Sequence, residues 1–348
     1  MSRKNKTIQL LTKAFLLSTG LALVACGGGD SGSSYPNISY AGATNEATVT
    51  ETNAKDFPVA ALEGSSSSYE ANPFSSLGGS GSSTPTAPSA AIIDGGTTGN
   101  AQHTAMLNIL AEQIKDTILK QQQSTGIDSN IVSAVTYPPQ PGTCSPNPGS
   151  LTIDDNSTQT NLNASYTYDN FCVDFSGFEV VQHGRVNVRG SFSSDPLILN
   201  SISISIEYMK MTVSNGTETY SEEFSGSMTM TFDETTNNNL TNFTISTNFQ
   251  ANGLTYKIEN LIVDNSAGTF SVSGRFYHPL HGYVDITTSD PFNLVSVNPD
   301  KYCSGSLQLT GAGGTIDFTA NVDCSSYDIC YTATGDPTCT TPTTYTWP

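Results

Sequence analysis

The chain has 348 residues with 13 Lys or Arg against 31 Asp or Glu, which gives a formal net charge of −18 at neutral pH. Proteins that bind nucleic acid use Lys and Arg to neutralise phosphates, so this composition argues against a nucleic-acid partner. It argues equally against a domain that lies flat on anionic lipid, and it is most simply interpreted as a means of solubility.

The first 25 residues have the layout of a secretory signal peptide. A start with four Lys or Arg residues precedes a short apolar run over residues 14–25. Twelve residues rise only about 18 Å as a helix, which is too short for a hydrocarbon core of about 30 Å. We therefore predict that residues 1–25 are removed on export. The remaining chain then carries nine basic and 31 acidic residues, a formal charge of −22.

The end of the apolar run resembles the lipobox of bacterial lipoproteins. It reads Leu23-Val24-Ala25-Cys26 and is followed by Gly27. In that family the cysteine sulfur carries a diacylglycerol, the signal is cut before the cysteine, and the new amino group takes an acyl chain such as palmitate. The resemblance implies that Cys26 is the lipidation site, and Gly27 in place of Asp implies sorting to the outer membrane. Two or more acyl chains hold a protein stably, since each buried methylene contributes about 0.8 kcal/mol. An ordinary signal peptide with a chance cysteine is the alternative.

Residues 26–99 are predicted to form the lipidated cysteine and a flexible tether. They are rich in Gly, Ser, Thr, Ala and Pro, with runs such as 65–68 and 78–83. Such a composition cannot bury enough apolar surface to offset the entropy of ordering. About 70 residues of this kind span roughly 45 to 50 Å. The apolar patch over residues 56–62 is the exception. It either docks transiently or has no role, and both alternatives are left open.

One amphipathic helix is predicted over residues 100–126. Its apolar side chains recur with the 3.6-residue period of a helix and form a single stripe, made of Leu107, Leu110, Ala111, Ile114 and Ile118. Gly126 is well placed to end it. We expect this helix to pack on the core of the domain, and a plug over a ligand cavity or a partner-binding helix is the alternative.

Residues 137–348 are predicted to form an antiparallel β domain that is stabilised by disulfides. Apolar residues alternate with Ser, Thr, Asn and charged residues, and turn signals such as Asn215-Gly216 separate the runs. The predicted fold class is mainly β: a long antiparallel meander, either a sandwich or an open half-barrel, with the helix packed on it. The apolar parity reverses between Tyr208 and Met209, which predicts a β-bulge or bend.

Six cysteines besides Cys26 agree with export to an oxidising compartment. They are Cys144, Cys172, Cys303, Cys324, Cys330 and Cys339. Six cysteines allow 15 pairings. We predict the local one, which joins the first to the second, the third to the fourth and the fifth to the sixth. A zinc site in the last four is the alternative, although these residues contain no C-x-x-C pair.

His278 and His281 are the weak candidates for a metal site. They flank a predicted tight turn between two strands, so two surface imidazoles on a hairpin loop are expected, and a zinc or copper site is the alternative. The surrounding segments 274–288 and 304–311 are similar to stretches in uncharacterised predicted bacterial lipoproteins, which implies a recurring domain without a known activity. The sequence contains no Gly-x-Ser-x-Gly elbow and no His-Glu-x-x-His, and we predict no cofactor and no catalytic residues.

The sequence therefore predicts a lipoprotein of the bacterial outer membrane, periplasmic or surface-facing, that is held by the lipid on Cys26. Its β domain is expected to be non-enzymatic, with a structural role or a role in binding an envelope protein, a glycan or a surface. The alternative function is a carrier for a lipid or other apolar ligand in a half-barrel cavity, because a helix on a curved meander resembles the architecture of lipoprotein carriers. The enzymatic alternative is a metal-dependent activity at His278 and His281.

Overall fold

The computed structural model describes residues 35–54, residue 57, seven positions between 103 and 114, and residues 135–346 with short gaps. The gaps in the last range are 159, 176–177, 193–198, 215, 218, 234–238, 252, 267–268, 294–303, 337–338 and 340. Within these residues no helix has both the length and the apolar character needed to cross a membrane. The predicted signal peptide and Cys26 lie outside the described residues.

The described strands form one sheet of 15 strands. Their bounds are β1 Val135–Pro141, β2 Ser150–Asp155, β3 Asn161–Phe175, β4 Phe178–Phe192, β5 Leu199–Ser214, β6 Thr219–Asp233, β7 Asn239–Ala251, β8 Leu254–Ser266, β9 Thr269–His278, β10 Gly282–Asp290, β11 Phe292–Asn293, β12 Ser306–Gly311, β13 Gly314–Ala320, β14 Ser326–Ala333 and β15 Thr343–Thr346. Fourteen of them follow one another in chain order, and β11 pairs with β9 beside this path. The predicted mainly β class and antiparallel meander are therefore confirmed, as a single open sheet.

The alternation of apolar and polar residues gives the sheet a buried face and a polar one. The buried face, here called the inner face, carries most of the core, for example Val186, Ile204, Met228, Ile245 and Phe318. Neighbouring residues in a strand point to opposite faces, so the intervening polar residues form the outer face.

The predicted bulge in β5 is confirmed. Glu207 and Tyr208 together face the single residue Ser225 of β6, between the pairs Ile206–Gly226 and Met209–Phe224. A bulge of this kind adds a residue to one strand and increases its bend. As a result Met209 continues the inner face, whereas Tyr208 is buried outside the main core cluster.

Similar irregularities form a row across the central strands. The register shifts in the middle of the pairs β3–β4, β4–β5, β5–β6, β7–β8 and β8–β9. Within the same row, Gly184 and Gly226 have φ angles of 149° and 144°. A Cβ on Gly184 would lie 2.1 Å from the carbonyl oxygen of Tyr208, and one on Gly226 would lie 2.2 Å from that of Ser246. Only glycine fits where neighbouring backbones approach this closely.

Substitution of Gly226 tests the importance of this row. Gly226→Ala is expected to lower the free energy of unfolding by about 2 to 5 kcal/mol, since it adds a backbone strain and a steric clash. Gly216→Ala is the matched control, because that glycine also has a positive φ, of 87°, but no atom of the described residues lies within 4 Å of its added Cβ. The control is expected to cost only about 1 to 2 kcal/mol in urea unfolding. Equal effects of the two substitutions would contradict a role for close backbone approach.

Residues 35–54, here called the strap, differ from the flexible tether that the sequence predicts for them. On the outer face, Tyr35 stacks on Tyr208 with ring centroids 5.8 Å apart. The carbonyl oxygen of Ile38 accepts hydrogen bonds from Ser225 Oγ at 3.1 Å and from Asn248 Nδ2 at 3.0 Å. The strap thus crosses the outer face over β5, β6 and β7, where polar side chains bind its backbone.

The second half of the strap pairs with the part of β10 that β12 leaves unpaired. Strand β12 pairs with β10 only from Asp285 onward. Before that point the amide of Ala47 donates to the carbonyl of Tyr283 at 2.7 Å, and the amide of Tyr283 donates to that of Asn45 at 3.0 Å. These backbone hydrogen bonds hold the strap against β10, a position that its composition did not predict. Residues 58–99 lie outside the described residues, and the tether prediction for them stays a prediction.

Two of the predicted disulfides are present. Cys144 is bonded to Cys172 and Cys330 to Cys339, with Cα–Cα distances of 5.5 and 5.8 Å. Cys324 is also disulfide-bonded, and Cys303, its predicted partner, lies outside the described residues. The first bond ties the segment before β2 to β3, and the second ties β14 to the segment before β15.

All seven described positions between 103 and 114 are helical. Leu107, Leu110 and Ile114 of the predicted apolar stripe are at most 2 % exposed and belong to the same core cluster as the inner face of the sheet. The other residues of the predicted helix 100–126, apart from these seven, lie outside the described residues.

Candidate functional site

A cluster of polar side chains lies buried on the inner face of the sheet. This buried polar cluster consists of His103, Gln182 of β4, Glu222 of β6 and Thr247 of β7. His103 belongs to the helical segment, the name used here for the seven described positions between 103 and 114. The half-buried Tyr220 of β6 adjoins the cluster through a hydrogen bond to Glu222. Gln182, Glu222 and Thr247 occupy positions whose strand neighbours on the same face are apolar, such as Val180 and Phe224. Polar residues at such positions are uncommon in cores unless they are hydrogen-bonded.

The imidazole of His103 connects the helical segment to two strands. Its Nδ1 shares a hydrogen bond with Glu222 Oε1, and its Nε2 lies 3.0 Å from Thr247 Oγ1. The second carboxyl oxygen, Glu222 Oε2, accepts a hydrogen bond of 3.0 Å from the hydroxyl of Tyr220. Both ring nitrogens of His103 and both oxygens of Glu222 are therefore satisfied within the protein.

Aromatic rings enclose this arrangement. His103 stacks on Phe249 with ring centroids 4.0 Å apart and an interplanar angle of 5°, and it contacts the edge of Phe224 at 5.3 Å. Phe249 in turn stacks on Tyr256 at 5.3 Å. The side chains of His103 and Glu222 are completely buried. Their mutual hydrogen bond therefore lies in a medium of low dielectric constant, where electrostatic interactions are strong.

Burial determines the ionisation of the cluster. It raises the pKa of Glu222 above its ordinary value, while the hydrogen bonds and charge of His103 and the hydroxyl of Tyr220 oppose that rise. Burial also raises the pKa of Tyr220, and the carboxylate of Glu222 adds to the effect. Desolvation penalises the charged form of a group, so burial favours the neutral carboxyl here while the hydrogen bonds favour the carboxylate.

Three side chains of the cluster are ordered as in a catalytic triad, but they are closed to substrate. A hydroxyl, an imidazole and a carboxyl follow one another in Thr247, His103 and Glu222, as nucleophile, base and orienting group do in such enzymes. However, these residues are only 2 %, 0 % and 1 % exposed. A nucleophile must meet its substrate, and the hydroxyl of Thr247 is closed to solvent. The arrangement is therefore suited to joining the helical segment to the sheet.

Gln182 is the least satisfied member of the cluster. It is 0 % exposed, and its Nε2 lies 4.0 Å from Met211 Sδ. Among the residues that the structure describes, its Oε1 has no hydrogen-bond partner. A buried carbonyl oxygen without a partner is destabilising, because it has lost its hydrogen bonds to water without replacement.

Replacement of Gln182 by an apolar residue is expected to stabilise the protein. Gln182→Leu removes the unsatisfied oxygen and should raise the free energy of unfolding by about 1 to 2 kcal/mol. Gln250→Leu is the matched control at an exposed position, and it should change that quantity by less than about 0.5 kcal/mol. Urea unfolding of the three proteins provides the comparison. A loss of stability in Gln182→Leu would show instead that a buried water satisfies the amide.

His278 and His281 lie at the predicted turn between β9 and β10. His278 pairs with Gly282 across the hairpin, and the two imidazole centroids are 4.4 Å apart. The ring of Phe57 contacts both, at 6.2 and 5.9 Å, and His278 Nδ1 accepts a hydrogen bond from the amide of Leu280. The structure thus brings the two histidines together within an aromatic setting. No group of three or more His, Cys, Asp or Glu residues that could hold a metal occurs within the described part of the chain.

A group of tyrosines lies at the end of the outer face near the same hairpin. This tyrosine patch consists of Tyr40 of the strap, Tyr277 of β9 and Tyr283 of β10, and Tyr277 lies 5.4 Å from each of the other two rings. Arg275 lies 3.9 Å above the ring of Tyr283, and Lys257 lies 4.6 Å from that of Tyr277. Tyr277 is buried, whereas Tyr40 and Tyr283 are half-buried. Partly exposed tyrosines beside paired charges are typical of surfaces that bind proteins or polar ligands.

The charges beside the tyrosine patch are paired. Arg275 forms two hydrogen bonds to the carboxylate of Asp285, at 2.6 and 2.9 Å, which raises the pKa of Arg275. Lys257 binds Glu259 at 2.6 Å, and this hydrogen bond lowers the pKa of Glu259. These pairs keep the side chains in fixed directions around the rings, so the patch is a preformed surface.

Comparison with known proteins shows no relative of this chain. No protein-family model matches the chain, and no curated protein and no solved structure matches it either.

Proposed function

We propose that the protein is an envelope lipoprotein, anchored to the bacterial outer membrane by the lipid on Cys26, with a non-enzymatic β domain that binds a partner. The signal-like start and the lipobox-like residues around Cys26 support the anchor. The disulfides of Cys144 and Cys330 agree with an oxidising compartment such as the periplasm. The buried Thr247 hydroxyl supports the non-enzymatic role.

The strap shortens the link between anchor and domain. The first described residue, Tyr35, already contacts the sheet at Tyr208 and lies nine residues after Cys26. Nine residues reach at most about 32 Å when fully extended. We therefore propose a short link in place of the 70-residue tether that composition alone suggests, so the partner of the domain lies close to the membrane.

The observation that carries the binding proposal is the contrast between the two faces. The inner face is covered by apolar side chains of the chain itself, including Met106, Leu107, Leu110 and Ile114 from the helical segment. The whole predicted helix 100–126 is proposed to pack there. The outer face instead presents the tyrosine patch, so we place the binding surface for an envelope protein or glycan around Tyr40 and Tyr283.

The carrier function is the second candidate. A lipid or other apolar ligand would use the inner face, whose residues include Met209, Met211 and Phe224. In the structure these residues belong to one core cluster with the helical segment. A carrier would therefore need the helical segment to move away before a ligand could bind, which places this function behind the first.

The anchor is tested by acyl labelling in cells. Cys26→Ala should abolish incorporation of labelled palmitate, because it removes the sulfur that takes the first lipid, and without that step the signal is not cut and no amino group is freed for the acyl chain. Gly27→Ala is the matched control and should keep the label. Gly27→Asp should keep the label and move the protein to the inner membrane. Labelling of Cys26→Ala equal to that of the unchanged protein would contradict the proposal.

The two candidate functions of the domain are distinguished by native mass spectrometry. The chain from Gly27 onward is exported with an ordinary cleavable signal peptide and purified from the periplasm. The binding proposal predicts a mass six hydrogens below that of the reduced chain, without a further component. A co-purifying apolar molecule would overturn the preference for the outer face and favour the carrier.

A further inference from the structure

We infer that the outer face carries a binding site for a glycan that contains uronic acids, on a polar area around Arg189 of β4. This area, here called the neutral field, crosses the five strands β3 to β7 on the side of the register shifts that lies away from the contacts of the strap. Its three rows of cross-strand neighbours begin on β3 at Asn161, Asn163 and Ser165 and end on β7 at Asn242, Thr244 and Ser246. The site adds to the surface proposed around Tyr40 and Tyr283 and depends neither on that surface nor on the lipid anchor.

The neutral field differs in charge from the rest of the outer face. Three positions on each of its five strands make fifteen, of which fourteen are Ser, Thr or Asn and one is Arg189. Beyond the register shifts the same strands carry acidic residues, such as Glu179, Glu207 and Glu223. The whole chain has 31 acidic against 13 basic residues. An anionic ligand therefore meets less repulsion on the neutral field than on the acidic parts of the surface.

Arg189 is the described cation that lacks a carboxylate partner. The other described Lys and Arg residues all form ion pairs: Arg185 with Glu207, Lys210 with Glu223, Lys257 with Glu259 and Arg275 with Asp285. Arg189 is exposed, and its neighbours across the sheet are the uncharged Asn163 and Ser203. A guanidinium binds a carboxylate through two parallel hydrogen bonds, so Arg189 offers a position for one carboxylate of a ligand.

The hydroxyl and amide groups around Arg189 suit the uncharged part of a glycan. Ser, Thr and Asn side chains each donate and accept hydrogen bonds, as the hydroxyls of a sugar do. Strands lie about 4.8 Å apart and same-face residues about 6.8 Å apart, so the field measures roughly 19 by 14 Å. Ser203 and Thr229, in its middle row, are exposed. A glycan that runs along this row would place a carboxylate at Arg189 and its neutral hydroxyls over β5 and β6.

Internal hydrogen bonds hold part of the field in place before a ligand binds. Ser165 Oγ donates to Asn187 Oδ1 at 2.7 Å, and the hydroxyls of Ser191 and Ser201 lie 3.0 Å apart. Side chains that are already fixed lose less freedom on binding. At the border of the field, Asn187 also donates to Glu207 at 2.7 Å. The binding site is therefore centred on the middle row, away from that carboxylate.

Other classes of partner fit the neutral field less well. The cores of protein interfaces are enriched in aromatic residues and depleted in Ser, whereas the field is rich in Ser and contains no aromatic residue. An apolar ligand would find no apolar side chain there. A nucleic acid requires several Lys or Arg to neutralise its phosphates, and the field has one. A carboxylate among many neutral hydroxyls is the complement of one arginine among hydroxyls and amides.

Retention on a panel of immobilised glycans tests the site. The probes are oligosaccharides of hyaluronan, galacturonate and alginate, and the matched controls are the same oligosaccharides with their carboxyl groups reduced to alcohols. The protein is the exported chain from Gly27 onward, which keeps every described residue. It is expected to bind at least one uronate probe about tenfold more tightly than the reduced form, since the reduced form cannot pair with a guanidinium.

Four variants locate the bound glycan on the protein. Arg189→Gln should weaken binding of the uronate probe about tenfold, because it removes the charge and keeps a polar side chain. Lys210→Gln is its matched control, since it removes one charge from an exposed position outside the field, and it should change the affinity less than about twofold. Thr229→Asp places a carboxylate in the middle row and should weaken binding. Ser221→Asp adds the same charge to the same strand outside the field and should not.

Three results would overturn the inference. Retention of none of the uronate probes would show that the field is only a polar surface. Equal binding of a uronate probe and its reduced form would leave no role for Arg189. Loss of binding in Tyr283→Ala together with unchanged binding in Arg189→Gln would place the glycan on the tyrosine patch, in which case the function proposed above stands and the second site does not.

Discussion

The close approach of backbones at Gly184 and Gly226 is the constraint on which the rest of the structure depends. A long antiparallel meander with one apolar face must curve before that face can enclose anything. Bulges bend the strands that contain them, and a row of register shifts and glycines crosses β3 to β9 here. The helical segment packs on the resulting inner face, and the bulge at Tyr208 turns one tyrosine outward to receive the strap.

A single sheet has two faces, and this chain covers parts of both with residues that precede the first strand. The strap binds polar side chains of the outer face through its backbone, as at Ile38, and the helical segment fills the inner face with apolar side chains. The two modes differ in strength. Exposed and half-buried hydrogen bonds each contribute about 0.5 to 1.5 kcal/mol, whereas a fully buried Leu or Met contributes about 1.5 to 3 kcal/mol.

Much of the fold could be predicted from the sequence, because alternation and turn residues are local signals. The parity reversal at Tyr208 and two of the disulfides were predictable for the same reason. The strap was not, since its order comes from distant partners such as Asn248 and Tyr283, and composition describes only its own residues. The buried polar cluster was missed although signals existed. His103 lies four residues before Leu107 on the apolar stripe, and Glu222 has the same parity as Phe224.

The buried pair of His103 and Glu222 is difficult to explain by stability alone. Apolar residues of similar volume in place of a buried polar or charged pair are often as stable or more stable. Gln182, with its unsatisfied oxygen, makes the same region less stable still. A chain that retained these groups only to hold a helix would gain more from leucine and phenylalanine. A hydrogen-bonded group offers what they do not, which is a defined position, because His103 meets Glu222 and Thr247 together at one placement of the helical segment on the sheet. Apolar side chains of suitable size make a core stable before they make its packing unique, so the polar residues at this contact define a register that the surrounding apolar residues leave less defined.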